Sequence, residues 1–244
     1  MNRIFSLILC VFIAKSLLAQ TDSQPLKITS LTGDFYVFTT YQTFAGKRVS
    51  ANGLYFLTND GVVMIDTPWD TIQFQPLLDS IEAKHQQKVI LCIATHSHED
   101  RTGGFDFLKA KGVKTYSSEQ TYNLGGDKKA EFYFTKDTTF NIGEVSFQTF
   151  YGGQGHTKDN IVIWIDGERI LYAGCLIKSV VDTDLGNISE ANLPAWPHTL
   201  NKIKRKFPEP KFIITGHYDW TSVNSLNHTL NLLQKHTEQA ANKN

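Results

Sequence analysis

The stretch Val89-Ile90-Leu91-Cys92-Ile93-Ala94-Thr95-His96-Ser97-His98-Glu99-Asp100-Arg101 decides how the chain is read. Its first seven residues form an apolar, β-rich run, which predicts a buried strand, and the polar cluster that follows predicts a functional loop at the strand's end. Side chains alternate along an extended segment. His96 and His98 are therefore expected on one side, with Asp100 continuing the same parity. Imidazole and carboxylate are both zinc ligands, although a lone histidine is more often an ordinary surface or core residue.

Upstream, Leu54–Thr58 and Val62–Asp66 flank Asn59-Asp60-Gly61, the chemistry of a hairpin turn. Asp70 and Gln73 resemble a capping pair for a helix whose stripe is Phe74, Leu77, Leu78 and Ile81. Downstream, strands are expected at Glu144–Tyr151, Ile161–Ile165 and Arg169–Ala173, the last two joined by Asp166-Gly167. Pro197 suits the first turn of a helix with the stripe Leu200, Ile203 and Phe207, stopped by Pro208. After a strand at Lys211–Thr215, Val223, Leu226, Leu230 and Leu233 predict a closing amphipathic helix. Strands early and late, with helices in both halves, predict an α/β (α+β) chain of two packed sheets covered by helices outside.

The chain has 244 residues, 41% of them apolar, with 24 basic residues against 24 acidic. That length permits one large domain, and the absence of a linker or repeat favours a single one. The even charge supplies no field toward nucleic acid or an anionic membrane, so a small neutral or zwitterionic substrate fits better. Residues 1–20 differ in character: Arg3 precedes the apolar run Ile4–Ala14, and Leu17-Leu18-Ala19-Gln20 precedes polar Thr21-Asp22-Ser23. This pattern predicts a secretory signal peptide with cleavage near Ala19 or Gln20, leaving residues 21–244 as a single mature domain. Cleavage removes Arg3 and Lys15 and no acid, so 22 basic residues face 24 acidic ones in the mature chain. It also removes Cys10 and leaves Cys92 and Cys175. An exported pair could form a disulfide, whereas a metal-binding Cys175 would have to stay a free thiolate.

Six residues of ligand type stand at or just beyond strand ends: His96, His98, Asp100, His156, Cys175 and His217. His156 sits in the glycine-rich Gly152-Gly153-Gln154-Gly155-His156-Thr157-Lys158-Asp159-Asn160, Cys175 follows Tyr172-Ala173-Gly174, and His217 follows Thr215-Gly216. Three nitrogens would leave a tetrahedral zinc one open position for water, and Asp, Cys and His could hold a second ion. His85, His198, His228 and His236 lie in helical or polar contexts and read as surface residues.

These motifs resemble the metallo-β-lactamase superfamily, whose metal signature is similar to His96-Ser97-His98-Glu99-Asp100-Arg101. Asn52-Gly53-Leu54, Asp66-Thr67-Pro68-Trp69, Gly174-Cys175-Leu176-Ile177-Lys178-Ser179, Gly186-Asn187 and Gly216-His217 extend the resemblance over nearly the whole mature chain. It points to the dizinc class B enzymes and implies a four-layer αβ/βα sandwich with the metals in the groove between the sheet edges. It further implies two Zn(2+) per chain, the first on His96, His98 and His156, the second on Asp100, Cys175 and His217. The implied reaction is opening of the β-lactam ring of penicillins, cephalosporins and carbapenems by a zinc-bound hydroxide, in the periplasm, by a monomer that keeps no membrane association after signal cleavage.

By the same resemblance Lys178 binds the substrate carboxylate, Asn187 donates to the developing oxyanion, and Asp100 belongs to the catalytic centre. Trp69 forms an apolar wall, and Tyr41–Asn52, with Phe44, Gly46 and Val49, forms a mobile flap. Arg101 is expected to offset Asp100 or the Cys175 thiolate, and Asp66 to orient a metal-binding imidazole. Many relatives carry proline where Gly152 stands. Thioesterases and lactonases of the superfamily usually carry a histidine directly after the signature aspartate and an aspartate bridging both metals; Arg101 and Cys175 stand in those places here. A noncatalytic zinc-binding protein would be expected to saturate its metal with four protein ligands.

Overall fold

Side-chain parity decides what each strand faces. In the computed structural model, which describes residues 26–242, Leu54 and Phe56 point into the space between two sheets while Tyr55 between them points the other way. The expected signal peptide, residues 1–20, lies outside the described residues. The first sheet holds β1 (Lys27–Thr32), β2 (Phe35–Phe44), β3 (Lys47–Thr58), β4 (Gly61–Ile65), β5 (Val89–Ile93), β6 (Lys114–Ser118) and β7 (Phe132–Phe134), in that spatial order. Strands β1 to β4 pair antiparallel, and β4 to β7 pair parallel. The second sheet runs β12 (Phe212–Thr215), β11 (Ile170–Gly174), β10 (Val162–Ile165), β9 (Val145–Phe150) and β8 (Thr139–Ile142).

Three apolar clusters follow from this parity. The central one joins Leu54, Phe56, Val63 and Ile93 of the first sheet to Phe147, Ile163, Ile170 and Ile214 of the second. Outside the first sheet, Tyr55, Met64 and Cys92 pack on α1 (Phe74–His85) and α3 (Phe105–Ala110) through Leu77, Ile81 and Leu108. Outside the second, Val162, Trp164 and Leu171 meet α5 (Trp196–Lys206) and α6 (Ser225–Ala241) through Trp196, Leu200, Ile203 and Leu233. The result is the expected four-layer αβ/βα sandwich, each sheet burying one face on its twin and one on helices.

Three local expectations need correction. Strand β5 ends at Ile93, and Asp100 returns on the single turn α2 (Glu99–Thr102), so the two histidines and Asp100 are not carried on one extended segment. The reason is that Thr95 N–H and Ser97 N–H donate to the Asp66 and Asp159 carboxylates at 2.7 and 2.8 Å, leaving the ladder. Asp70 does cap, accepting from Ile72 N–H at 3.1 Å, but the capped element is the 3-10 turn Thr71–Gln73. Gln73 clasps the Tyr41 backbone with two 3.0 Å bonds instead of reaching back to Asp70. Tyr41–Asn52, the expected flap, forms the tip of the β2–β3 hairpin, turning at Ala45-Gly46 with φ of 48° and 75°. Val223 precedes α6 and is exposed, so the helix buries Leu226, Thr229, Leu232 and Leu233.

Candidate metal centre

Strands β4, β5, β9, β11 and β12 all deliver their C-terminal ends to one rim of the sandwich. Asp66 follows β4, His96, His98 and Asp100 follow β5, His156 follows β9, Cys175 follows β11 and His217 follows β12. Gly174 makes the β11 exit possible: its φ is 52°, and a Cβ there would come within 2.9 Å of Thr95 Oγ1. A side chain at that position would push the β5 loop away.

The rim gathers the six ligand-type residues into one cluster. The rings of His96, His98 and His156 lie mutually edge-on with centroids 4.8, 5.2 and 5.0 Å apart. Cys175 Sγ is 3.2 Å from His217 Nε2 and 3.7 Å from Asp100 Oδ2, and Asp100 Oδ2 is 3.2 Å from His217 Nε2. Donor atoms within 4.8 Å of one another occur in Asp100, Cys175 and His217, in His96, His98 and Asp100, and in His96, His156 and Cys175.

The donors fit a cation. His96 Nε2 and His156 Nδ1 are buried with no hydrogen-bond partner, a costly state for a polar nitrogen unless a ligand occupies it. Burial holds both imidazoles well below their usual pKa, assisted by His98 beside His96 and by Lys178 beside His156, so both are neutral. For Asp100, burial pushes the carboxyl up, but Arg101 and His217 outweigh it and hold the group well below the usual range. Burial likewise lowers His217, yet Cys175 and Asp100 pull its pKa up to about 9. An acidic and thiol-bearing corner that draws a proton onto its histidine is a corner that attracts positive charge.

Residues behind the cluster orient these candidate ligands. Asp66, 0% exposed, accepts from the Thr95 hydroxyl at 2.9 Å and does not touch an imidazole. Its effect on a ligand runs through Thr95, whose Oγ1 is 3.3 Å from His96 Nδ1. With the hydroxyl donating to the carboxylate, Oγ1 accepts from His96 Nδ1–H and leaves Nε2 bare as a donor atom. His217 Nδ1–H donates to Ser50 O at 2.8 Å, turning Nε2 toward Cys175. Arg101 is fully buried: Nη2 donates to Asp100 at 2.8 Å, to Cys175 Sγ at 3.1 Å and to Gly216 O at 2.9 Å. Its Nη1 donates to Asn52 O at 2.8 Å and lies 3.3 Å from Asp66.

A cleft of about 880 Å³ opens over the cluster. Lys178 stands on its wall, buried but for 8%, with Nζ 5.7 Å from the Trp196 ring centroid. Burial lowers its pKa, and Cys175, Asp182 and Asp100 resist the shift. Asn187 is exposed on the rim, its Oδ1 engaged by Ser189 N–H and Oγ at 3.2 and 2.9 Å, so the amide nitrogen remains a donor. Trp69 lies between exposed Phe44 of the flap, 5.6 Å away, and His217, 5.8 Å away. Of the four other histidines, His198 is exposed and His236 is half-buried on α6; His85 meets Tyr55 Oη at 3.0 Å and His228 meets Asp182 O at 2.8 Å, so these two are structural. Sequence reading missed Thr95, Tyr172, Ser50 and Glu190. Tyr172 Oη lies 2.8 Å from Asp66 and from Asn52 O, and Glu190 is 3.5 Å from His98 Nε2. The signal for Tyr172 is a polar group inside the apolar strand β11, and for Thr95 a hydroxyl at the end of the apolar run Val89–Ala94.

The profile of the metallo-beta-lactamase superfamily matches residues 47–217 of this chain. The chain belongs to the metallo-beta-lactamase superfamily. Among curated relatives, the metallo-beta-lactamase type 2 of Elizabethkingia meningoseptica is 39% identical over 221 residues, 89% of each chain. Metallo-beta-lactamase IND-1 of Chryseobacterium indologenes is 42% identical, over 83% of this chain and 86% of its own. The solved structure of a metallo-beta-lactamase from Pontibacter korlensis superposes with a TM-score of 0.83 at 34% identity, covering 86% of this chain and 99% of that one. The crystal structure of metallo-beta-lactamase IND-7 gives 0.82 at 39% identity, with 86% and 98% covered. Among the described residues, Cys92 and Cys175 are free and buried and form no disulfide. Cys92 packs under β4, its Sγ 3.7 Å from Asp66 O.

Proposed function

We propose that this metallo-beta-lactamase opens the β-lactam ring of penicillins, cephalosporins and carbapenems with two zinc ions per chain. The observation that carries this is three histidine rings with centroids 4.8 to 5.2 Å apart beside an Asp-Cys-His group, at a cleft whose wall holds a buried lysine and a free amide donor. The names of its relatives support the substrate class. His96, His98 and His156 would hold one ion, and Asp100, Cys175 and His217 the other. Bound zinc supplies Lewis acidity and brings the pKa of a bound water from about 16 to roughly 7.

This chain's residues then do the rest. Lys178 pairs with the carboxylate carried by the substrate, placing the lactam over the histidine group. Asn187 donates from its amide nitrogen to the carbonyl oxygen as negative charge develops there. Trp69 and Phe44 cover the apolar substituent and keep bulk water from the reacting bond. Arg101 neutralises Asp100 and Cys175 from behind without entering the cleft. Residues 1–20 direct the chain to the periplasm and are removed, and the mature enzyme acts there as a monomer. Among the described residues no helix is long and apolar enough to cross a membrane.

The test is turnover of one penicillin, one cephalosporin and one carbapenem by the purified mature protein, before and after chelation. Chelation should abolish turnover of all three, and added zinc should restore it. Full turnover by a metal-free preparation, or none by a zinc-loaded one, would refute the assignment.

A further inference from the structure

A second cleft, of about 490 Å³, lies on the far side of the turn that carries His156 and shares no residue with the first. One wall is the outer face of α5, where His198, Lys202 and Arg205 recur at spacings of four and three and therefore project from the same side. All three are exposed, and none of them is in an ion pair among the described residues. Helix α5 contains no acidic residue, and no carboxylate lines the cleft. The opposite wall is the backbone of Gly152 and Gly153, whose N–H groups donate to no acceptor among the described residues. The glycines let this turn pack close against α5. A Cβ would fall 3.0 Å from Ile203 at Gly152 and 2.7 Å from Thr199 Oγ1 at Gly153, where φ is 136°.

We propose that this rear cleft binds a phosphate-class oxyanion, held by Lys202 and Arg205 with the glycine turn beneath it. Exposed cations lining one cleft with backbone N–H groups that lack an acceptor are elements from which phosphate sites are built, and Lys202 Nζ, 5.7 Å from the Phe150 ring centroid, stands at its edge. The bound anion would also bear on the active centre through short links. Thr199 Oγ1 donates to Gln154 O at 2.6 Å, and Asn192 ties down both the Gln154 side chain, at 2.7 Å, and the Gly155 carbonyl, at 2.8 Å. His156 comes next in the chain, with its ring 5.9 Å from Trp196 at the start of α5.

The experiment is a titration of the zinc-loaded protein with inorganic phosphate at constant ionic strength, followed by backbone amide shifts, with phosphatidylglycerol vesicles in a parallel sedimentation arm. Gly152, Gly153 and His198 should shift saturably, and Lys202→Gln/Arg205→Gln should raise the half-saturation concentration at least about tenfold, since two charge-assisted hydrogen bonds are lost. Both side chains are exposed, so the double variant should fold unchanged. Phosphate taken up at the metals instead would shift the amides of Lys178 and Asn187 and persist in the double variant. Binding in either arm that the double variant loses supports the site, and the arm in which it occurs identifies a free or a lipid phosphate. No binding in either arm, or binding that the double variant retains, overturns it, whether or not the protein hydrolyses β-lactams.

Discussion

Arg101 joins the two halves of the centre, since one buried guanidinium touches Asp66, Asp100 and Cys175 at once. Arg101→Ala would leave those groups buried without their cation and should cost about 3–5 kcal/mol of stability, measured as a urea-unfolding difference in chelated protein. Arg101→Lys keeps the charge but not the fork, so it should recover only part of that loss. At the cleft wall, Lys178→Ala should raise KM for carboxylate-bearing substrates more than it lowers kcat, because pairing with a distant carboxylate is made equally in ground and transition states. Asn187→Ala should lower kcat modestly, as the metal still polarises the carbonyl; a loss as large as that from removing a metal ligand would contradict this division of labour. All six ligand-type residues were legible in the sequence, because glycine turns and strand ends mark them. Their orientation was not. Thr95 relays Asp66 to His96, a three-body contact that no spacing encodes.

At the scale of elements, the turn carrying His156 is secured by helix α5. Trp196 is fully buried, and its Nε1–H donates to Leu176 O at 2.9 Å, one residue past Cys175. Trp196→Ala should cost about 3–5 kcal/mol, read as a lower urea midpoint, and should loosen both the His156 and the Cys175 loops. A change under about 1 kcal/mol would mean the helix is not what holds them. Helices α1, α5 and α6 and the hairpin around Asn59-Asp60-Gly61 were legible because long amphipathic periods and turn chemistry are local properties. The region between α2 and β9 was not. Its strand β7 has three residues, two of them exposed, and exists through parallel pairing with β6. The outer half of the β2–β3 flap is polar and exposed, so its strand character rests on its ladder and not on any local apolar pattern.

For the whole molecule, two sheets present their strand ends at one rim, and the chemistry needs that rim because its six donors come from four separate strand exits. Metal binding there should stabilise the fold by mass action, so the zinc-loaded protein should melt above the chelated one. The two buried thiols set the most direct test. Alkylation of the mature protein, counted by mass alongside its zinc content, should find two free thiols in denatured, chelated protein, and should find Cys175 protected in the zinc-loaded form and reactive after chelation. Cys175→Ser should fold but bind its second zinc far more weakly, since serine offers a harder and poorly ionised oxygen. A Cys92–Cys175 disulfide in active enzyme, or a Cys175 that alkylates equally with and without zinc, would contradict the account.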